Sequence, residues 1–377
     1  MKILITVASV LMLLLFNNCA NKIKPTENEL NLQNSINAKI LIGESSKLIP
    51  LEYTSDSRLK EVVKAELDEK NDKIFILSNF NIFIFDSNGK FITKLKKGKG
   101  PNEISMIISF CLDQENRTIY AIDLGNRICK IDYSGEILEI KETLKFYGMA
   151  VKNINNSELL LLNNTPNDYD PYLVSKFDFS LGQITKRYIP ANESEYPLLS
   201  YSMANNFSSY KKNIYFSYSS IMGLYIYEND DFTKVAAYNI GDRKVQKKFA
   251  KKFEPRRKMG AFREEALNRG LIPFLKSSFN FKEFNFIILD DGKYSCLVSS
   301  NTENKIYSSE SIVDFFDLPD VKSLSSPVTI TDDLLVFCCQ PLDFYKNDDG
   351  VLPKKVKIGK NELYIDYDSN PFLIVVE

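Results

Sequence analysis

The side chains in this sequence that could carry out chemistry are carboxylates, tyrosines and lysines, because histidine is missing altogether. The 377 residues include 49 Asp and Glu, 48 Lys and Arg, 20 Tyr and no His. A Ser-His-Asp triad, a Cys-His pair and an imidazole zinc site are therefore excluded. Two carboxylates across a cleft, assisted by Tyr or Lys, could still break a glycosidic bond. The spacing of the acidic residues singles out no such pair, so we predict no catalytic residue, no cofactor and no metal site.

The composition is typical of a folded protein and gives no sign of a nucleic-acid partner. Hydrophobic residues make up 44% of the chain and charged residues 26%, with a formal net charge of -1. This balance produces no global basic field, so we expect no binding to nucleic acid. Tryptophan is also missing, which removes the best single platform for stacking on a sugar or a cation.

The first residues have the pattern of an export signal. Lys2 is followed by an apolar run from Ile3 to Phe16 and then by Asn17-Asn18-Cys19; the run is too short for a comfortable membrane span. The cysteine at the break resembles the lipobox of a bacterial lipoprotein, in which cleavage precedes the cysteine and lipid is attached to its sulfur. That resemblance implies a signal peptide over residues 1–18, a lipid anchor at Cys19 and a place at the outer membrane of a Gram-negative bacterium. A plain secreted protein with an incidental cysteine is the alternative.

The rest of the chain divides into a linker and one domain. Residues 19–38 are polar and lack an apolar period, which predicts a flexible tether, and residues 39–377 are expected to form a single domain. Five cysteines remain besides Cys19, and an odd number cannot all pair internally. Because each lies in an apolar run, we expect small buried hydrophobic residues and not a disulfide framework. These cysteines are Cys111, Cys129, Cys296, Cys338 and Cys339.

The domain is built from a repeat of about 45 residues, the length of one propeller blade. Asp86, Asp132 and Asp178 recur 46 residues apart, each after a run of Ile, Phe, Tyr or Val and before a glycine. Such runs, separated by Asn, Asp, Gly and Ser, predict strands joined by tight turns. Six units begin near residues 62, 105, 146, 201, 279 and 325, so the sequence predicts an all-β, six-bladed β-propeller.

Two segments do not follow this repeat. Residues 241–276 contain 12 Lys and Arg against 4 Asp and Glu and predict a short helical insertion, with helices over 243–253 and 255–269. The insertion would be a solvated flap on one face, or a surface for anionic headgroups or an acidic partner. Residues 40–53 carry strand signals, and we expect them to close the ring with the last blade.

A motif after the first repeat resembles that of a known family. Gly98-Lys99-Gly100-Pro101-Asn102-Glu103 is followed by a blade whose residues 119–135 follow the pattern IY..D..NRI.K.D..G. This is similar to the six-bladed β-propeller lipoproteins of Bacteroidetes, relatives of the NHL and TolB-type propellers. The resemblance implies the fold and a surface lipoprotein, and it transfers no catalytic residue. The motif residues that match are Gly98, Gly100, Pro101, Glu103, Asp123 and Asn126.

These motif residues are expected to be structural. The glycine-rich segment lacks the Lys-Ser/Thr ending of a phosphate-binding loop and the third glycine of a dinucleotide site. It is expected to turn the chain between two blades, with Glu103 accepting backbone N–H groups. Residues 123–126 and 290–292 lack the alternating ligands of a calcium loop and predict side-chain-capped turns.

Four tyrosines near prolines in the middle blades either line a face of the ring or pack between blades. They are Tyr169, Tyr172, Tyr196 and Tyr201.

Three functions remain open on the sequence. The first is a lipid-anchored envelope module that binds a protein or a glycan. The second is a propeller enzyme, a glycan hydrolase or lyase that uses carboxylates with Tyr or Lys. The third is a structural accessory of an uptake complex, which would present an apolar patch on one face.

Overall fold

Six antiparallel sheets follow one another around a central axis, which confirms the all-β, six-bladed β-propeller. The structure is a computed structural model. It describes residues 28–32, 35–37, 46–98, 100, 103–142, 148–194, 196, 206–256, 258–293, 295–300, 305–316, 318, 321, 324, 326–331, 333–343, 355–358, 361–365 and 369–377.

The strands have the lengths that the repeated apolar runs predict. Three strands precede the first blade, namely β1 (Asn28–Asn31), β2 (Ile36–Asn37) and β3 (Ser46–Pro50). Blade 1 contains β4 (Val62–Asp68), β5 (Lys73–Ser78), β6 (Asn81–Asp86) and β7 (Phe91–Lys94). Blade 2 contains β8 (Ile107–Asp113), β9 (Thr118–Asp123), β10 (Arg127–Asp132) and β11 (Ile137–Glu142). Blade 3 contains β12 (Gly148–Asn153), β13 (Glu158–Asn163), β14 (Tyr172–Asp178) and β15 (Gln183–Pro190).

The second half repeats the pattern with additions. Blade 4 contains β16 (Phe207–Tyr210), β17 (Asn213–Tyr218), β18 (Ile221–Glu228) and β19 (Asp231–Asn239). Blade 5 contains β20 (Phe274–Phe281), β21 (Phe284–Asp290), β22 (Cys296–Ser300) and β23 (Lys305–Ser309). Blade 6 contains β24 (Thr329–Ile330), β25 (Leu335–Cys339) and β28 (Phe372–Val376), and the pair β26 (Lys355–Ile358) and β27 (Asn361–Tyr364) lies between the last two in sequence.

The ring closes between the two ends of the chain. β3 pairs antiparallel with β28, so that Pro50 lies opposite Phe372 and Ser46 opposite Val376. Blade 6 therefore takes its outer strand from the N-terminal part of the chain. This confirms the closing strand expected within residues 40–53, of which 40–45 lie outside the described residues.

The hydrophobic core is a ring of clusters between neighbouring blades. One cluster joins Phe75 and Ile84 of blade 1 to Phe110 and Cys129 of blade 2. Equivalent clusters join each following pair, and the last one packs blade 6 against blade 1. A single four-stranded sheet has two apolar faces, and the ring buries both of them.

The two faces of the ring differ in their connections. One face carries the turns from first to second strand and from third to fourth strand, such as 69–72 and 87–90; we call it the turn face. The opposite face carries the connections from second to third strand and from blade to blade, and we call it the loop face. The longest connections, at 191–206, 240–273, 310–328 and 340–371, all begin and end on the loop face.

The basic insertion is the connection from blade 4 to blade 5. It contains a one-turn helix, α1 (Lys247–Ala250), and a longer helix, α2 (Met259–Asn268). The second predicted helix is confirmed with a later start, whereas the first is reduced to one turn. Phe262 and Ala266 of α2 are buried with Val245, Ala250 and Phe274, so the insertion has its own small core.

The structure differs from the flexible tether expected over residues 19–38 at two places. β1 pairs parallel with β19, the outer strand of blade 4, and β2 pairs parallel with β23, the outer strand of blade 5. An outer strand presents unpaired backbone N–H and C=O groups, which a passing extended segment can satisfy. Leu32, between the two strands, is buried. The polar composition of the segment concealed this pairing.

The five cysteines are free thiols in strands, and all except Cys338 are buried, as the sequence predicts. None of the helices in the described part of the chain is long and apolar enough to cross a membrane.

Candidate functional site

The axis of the propeller holds two cavities in line, and the first strands of the blades line both of them. A cavity of 570 Å³ opens towards the loop face, and one of 750 Å³ opens towards the turn face. Lys64, Phe207 and Val328 line both cavities, so they lie where the two meet. Because the strand direction is the same in every blade, the first strands line the loop-face cavity near their starts, and those of every blade except blade 5 line the turn-face cavity further along.

The loop-face cavity is mainly apolar. Its walls come from all six blades, and its apolar residues include Val63, Phe80, Ile108, Met149, Phe207 and Val328. Lys60, Glu61 and Lys276 add charge. An apolar cavity with a few polar groups is the usual form of a ligand site.

Phe80 is the most unusual residue of this cavity. It occupies the second position of the two-residue turn between β5 and β6, with φ +57, next to Asn79 with φ +50. Both positions of such a turn favour Gly or Asn, and a bulky residue there is strained. The side chain is 52% exposed. A strained backbone that presents an exposed aromatic ring at a cavity mouth is typical of a binding position.

The turn that carries Phe80 is fixed by two neighbours. Ile107 N donates to the Phe80 carbonyl oxygen at 3.0 Å, and Lys97 Nζ donates to the Asn79 carbonyl oxygen at 2.9 Å. Ile107 begins the inner strand of blade 2, so the turn is tied to the adjacent blade. The ring of Phe80 is therefore presented by a rigid support.

The turn-face cavity is charged, and part of its charge is already paired. Lys64 Nζ lies 2.7 Å from Glu66 Oε1 and donates to the Phe110 carbonyl oxygen at 2.6 Å. Glu66 Oε2 accepts from Leu112 N at 3.1 Å, and Asp113 accepts from the backbone and side chain of Asn116. Glu66 thus links blade 1 to blade 2, Asp113 caps a turn within blade 2, and both carboxylates are engaged.

Lys152 is a cation of the turn-face cavity without such a partner. Its ammonium makes no hydrogen bond or ion pair with the residues that the structure describes. Burial lowers the pKa of Lys152, and nearby Lys64 lowers it further while Glu66 opposes the change. The oxygen Oδ1 of the next residue, Asn153, is buried without a hydrogen-bond partner in the same part of the chain. A donor and an acceptor are thus available at the lining of this cavity.

The glycine-rich motif forms a corner between β7 and β8. Gly100 N donates to Glu103 Oε2 at 2.6 Å, and Gly98 N donates to the Ile104 carbonyl oxygen at 3.0 Å. A Cβ atom on Gly98 would lie 2.0 Å from Glu103 Oε2, so the glycine leaves room for that carboxylate. Glu103 therefore accepts a backbone N–H as expected, and Pro101 lies outside the described residues.

Asp123 and Asn126 form a capped turn beside that corner. Asp123 is fully buried and accepts from Gly125 N at 2.9 Å and from Arg127 Nε at 3.0 Å. The same guanidinium donates to the Glu103 carbonyl oxygen at 2.8 Å, and Asn126 adopts φ +59. Asp291 likewise accepts from Lys293 N and Ser295 N. These carboxylates stabilise turns, and Arg127 joins Asp123 to Glu103 of the glycine-rich motif.

The other predicted positions are dispersed. Tyr169 is 90% exposed on the loop face, whereas Tyr172 is half-buried in β14. Tyr196 is buried in the insertion core, where its hydroxyl donates to the Pro273 carbonyl oxygen at 2.6 Å. Cys19 and Tyr201 lie outside the described residues.

Sequence reasoning missed Phe80 and Lys152. The signal for Phe80 was available: Asn79-Phe80 stands between two strands where Asn-Gly is the usual pair. Lys152 gave no signal, because only the ring brings the ends of the inner strands together.

Three solved structures are similar to the chain, and the first of them supports the fold. A Bacteroides fragilis protein whose name designates it an exported protein superposes with a TM-score of 0.70 at 16% identity, over 93% of this chain and 99% of that one. A luciferin-regenerating enzyme gives a TM-score of 0.44 at 11% identity, over 88% and 96% of the two chains. PorZ is a surface component of the type-IX secretion system of Porphyromonas gingivalis. It superposes with a TM-score of 0.41 at 10% identity, over 86% of this chain and 39% of PorZ.

None of the curated proteins matches the chain in sequence. The family model described as a domain of unknown function, DUF4934, matches residues 20–377. The match covers every blade of the propeller together with the segment that leads to β1, and so the chain belongs to the DUF4934 family.

Proposed function

We propose that this protein is a lipid-anchored binding module of the bacterial cell envelope, and that it holds an apolar segment of a partner protein at the loop-face cavity. The observation that carries the proposal is Phe80, which is half exposed and strained at the mouth of that cavity. Most of the side chains around it in the cavity are apolar, and they fit apolar protein side chains better than the hydroxyl groups of a glycan.

Further exposed apolar side chains on the same face support this proposal. Leu124 is 54% exposed in the turn between β9 and β10, and Tyr169 is 90% exposed between β13 and β14. Both positions correspond to that of Phe80, in the connection from second to third strand. Exposed apolar side chains collected on one face indicate an interaction surface.

Retention by a membrane rests on Cys19 and on the apolar run before it. The exported Bacteroides fragilis protein of similar fold supports a place outside the cytoplasm. We expect Cys19→Ala to abolish acylation and to leave the protein unlipidated, as seen by metabolic labelling with a fatty-acid analogue. Equal labelling of the variant and the native protein would contradict lipidation at this residue.

The partner proposal is tested by purifying the tagged, lipidated protein from its own envelope in mild detergent. We expect a partner in stoichiometric amount with the native protein, and its loss with Phe80→Asp. The matched control is Leu181→Asp, an equally apolar residue that is 64% exposed on the turn face, and this variant should keep the partner. If all three preparations contain the same proteins, or none contains a partner, the loop-face cavity is not the binding site.

A further inference from the structure

The basic insertion between blades 4 and 5 uses its arginines and its lysines differently. Arg263 forms two hydrogen bonds of 2.7 Å with the carboxylate of Asp290, and Arg269 pairs with Glu265. Arg243 donates to the Gly270 carbonyl oxygen and lies 3.6 Å from Asp291. These arginines hold the insertion together and fasten it to blade 5.

Five lysines of the insertion stay outside this network, and we call them the lysine patch. All are exposed, and their ammonium groups make no hydrogen bond or ion pair with the described part of the chain. Met259, next to Lys258 in sequence, is also 37% exposed. The patch consists of Lys247, Lys248, Lys251, Lys252 and Lys258. Like charges gathered without counter-charges are costly unless they face an anionic surface.

Aromatic packing holds the lysine patch rigidly against the propeller. Tyr196 and Phe262 pack with their ring centroids 5.1 Å apart, and Phe262 packs on Phe274 of blade 5 at 5.5 Å. The ring centroid of Phe249, in α1, lies 5.9 Å from that of Phe262. The lysines of α1 are therefore held in place before any ligand arrives, and little backbone order has to be gained on binding.

The N-terminal segment reaches the ring at the same place. β1 runs parallel to β19, with Asn28 opposite Ala236 and Asn31 opposite Asn239. Glu29 accepts from the Asn239 side chain at 2.8 Å, and the insertion begins two residues further on, at Gly241. Leu32 is buried in one cluster with Ile240 and Ile272, which lie near the two ends of the insertion. Residues 28–32 are thus fixed beside the base of the insertion.

The length of chain before β1 limits the distance to the anchor. Residues 19–28 span at most about 30 Å when fully extended, and Asn28 lies about 10 Å along the strand direction from the insertion end of β19. A lipid on Cys19 would therefore lie within reach of a bilayer that the insertion touches.

We propose that the lysine patch binds the anionic headgroups of the membrane and holds the propeller with its blade 4–5 rim against the bilayer. Lysines close to a membrane surface are attracted by acidic lipids, and exposed Met259 can enter the interface. A basic patch beside an acyl anchor gives two attachments in place of one. The position of the anchor rests on the proposed function, but the binding of headgroups by the patch does not.

The proposal is tested with the unacylated chain of residues 20–377, which contains every described element. We expect it to sediment with vesicles of phosphatidylcholine and phosphatidylglycerol in equal parts, to remain free of pure phosphatidylcholine, and to dissociate as salt is raised. The first variant reverses four charges of the patch and carries Lys247→Glu, Lys248→Glu, Lys251→Glu and Lys252→Glu. We expect it to bind acidic vesicles at least about tenfold more weakly.

The control reverses four exposed lysines on the turn face, which gives the same net charge. This variant carries Lys70→Glu, Lys90→Glu, Lys211→Glu and Lys212→Glu, and it should bind acidic vesicles like the native chain. Thermal melting of both variants establishes that they fold. An equal loss of vesicle binding in the two variants overturns the proposal. Absence of binding of the native chain to acidic vesicles overturns it too, and would indicate an acidic protein as the partner of the patch.

The orientation has its own readout, because the chain contains no Trp. Met259→Trp should give a fluorophore that shifts to shorter wavelength on acidic vesicles and is quenched by brominated acyl chains. Leu181→Trp, on the turn face, should show neither change. If both reporters respond alike, the rim does not face the bilayer. Since neither measurement involves Cys19, a failure here is distinct from a failure of lipidation.

Discussion

The Tyr133 hydroxyl donates a hydrogen bond of 2.6 Å to Asp68 Oδ2, and this contact links two blades. Tyr133 lies in the last turn of blade 2, whereas Asp68 ends the inner strand of blade 1 and is fully buried. The tyrosine ring packs on Phe75 with centroids 4.6 Å apart. Burial raises the pKa of Tyr133, and the hydrogen bond to Asp68 raises it further. The hydroxyl therefore stays a donor at neutral pH.

We expect Tyr133→Phe to lower the free energy of unfolding by about 2 kcal/mol, because a buried acceptor loses a donor. Asn71 Nδ2 still donates to Asp68 Oδ2 at 2.8 Å, which limits the loss. Urea unfolding at pH 7 measures the change. Tyr53→Phe, at a side chain that is 49% exposed, is the control and should unfold like the native protein. Equal stability of Tyr133→Phe and native protein would contradict the role of this contact.

Gly89 is required where the closing strand crosses blade 1. It adopts φ +85, and a Cβ atom there would lie 1.9 Å from the Pro50 carbonyl oxygen at the end of β3. Gly89→Ala combines backbone strain with a steric clash, so we expect a loss of more than about 2 kcal/mol in urea unfolding.

The matched control for that substitution is Gly260→Ala in α2, where a new Cβ atom meets nothing within 4 Å. Its stability should be unchanged or slightly higher, because alanine favours a helix. A similar fall in both variants would show that the loss is not specific to the crossing.

The free thiols should react with a thiol reagent only when the protein unfolds. Burial raises the pKa of Cys111 and Cys129 to about 12, so that both are neutral thiols at pH 8. We expect slow modification of the folded 20–377 chain, beginning at the partly exposed Cys338, and rapid modification of all five in guanidinium. Rapid reaction of more than one thiol before unfolding would contradict this burial.

The same pKa values set a direction for stability in alkali. An unfolded thiol has a pKa of about 8.5, below the folded value of about 12 for Cys111. The unfolded state therefore loses its proton first, so stability is complete below about pH 8 and falls as the pH rises towards 12. Urea midpoints at pH 7 and pH 10 should show the decrease.

Deletion of residues 371–377 should abolish folding. β28 lies between β25 and β3, and all five of its residues are buried. Without it, the closing strand has no partner and blade 6 separates from blade 1. Circular dichroism and proteolysis measure the outcome, with deletion of Glu377 alone as a control that should melt like the full chain. A cooperative melt of the longer deletion would contradict closure through β28.

The repeated apolar runs and turn residues were sufficient to predict the blades. First strands begin at 62, 107, 148, 207, 274 and 329, close to the six predicted starts. Asp86 and Asp132 cap their turns, accepting from Asn88 N and Ser134 N, as their spacing before Gly89 and Gly135 predicts. Local pattern decides such features, because strand period and turn geometry depend on residues close in sequence.

The propeller lipoprotein resemblance predicted the architecture correctly, whereas lipidation and the NHL or TolB relation stay predictions. The site itself depended on contacts between residues far apart in sequence. Lys64, Lys152 and Phe207 line one cavity only because each lies in an inner strand of a different blade.

By itself, the sequence determined the number of blades, their turns and the strand that closes them, because these follow from periodicity along the chain. Tertiary structure alone decided that Phe80 stands at a cavity mouth and that Lys152 lines the axis. It also decided that residues 28–37 pair with the outer edges of blades 4 and 5. Ring closure sets those relationships, since it brings together strand ends and edges that no local pattern relates.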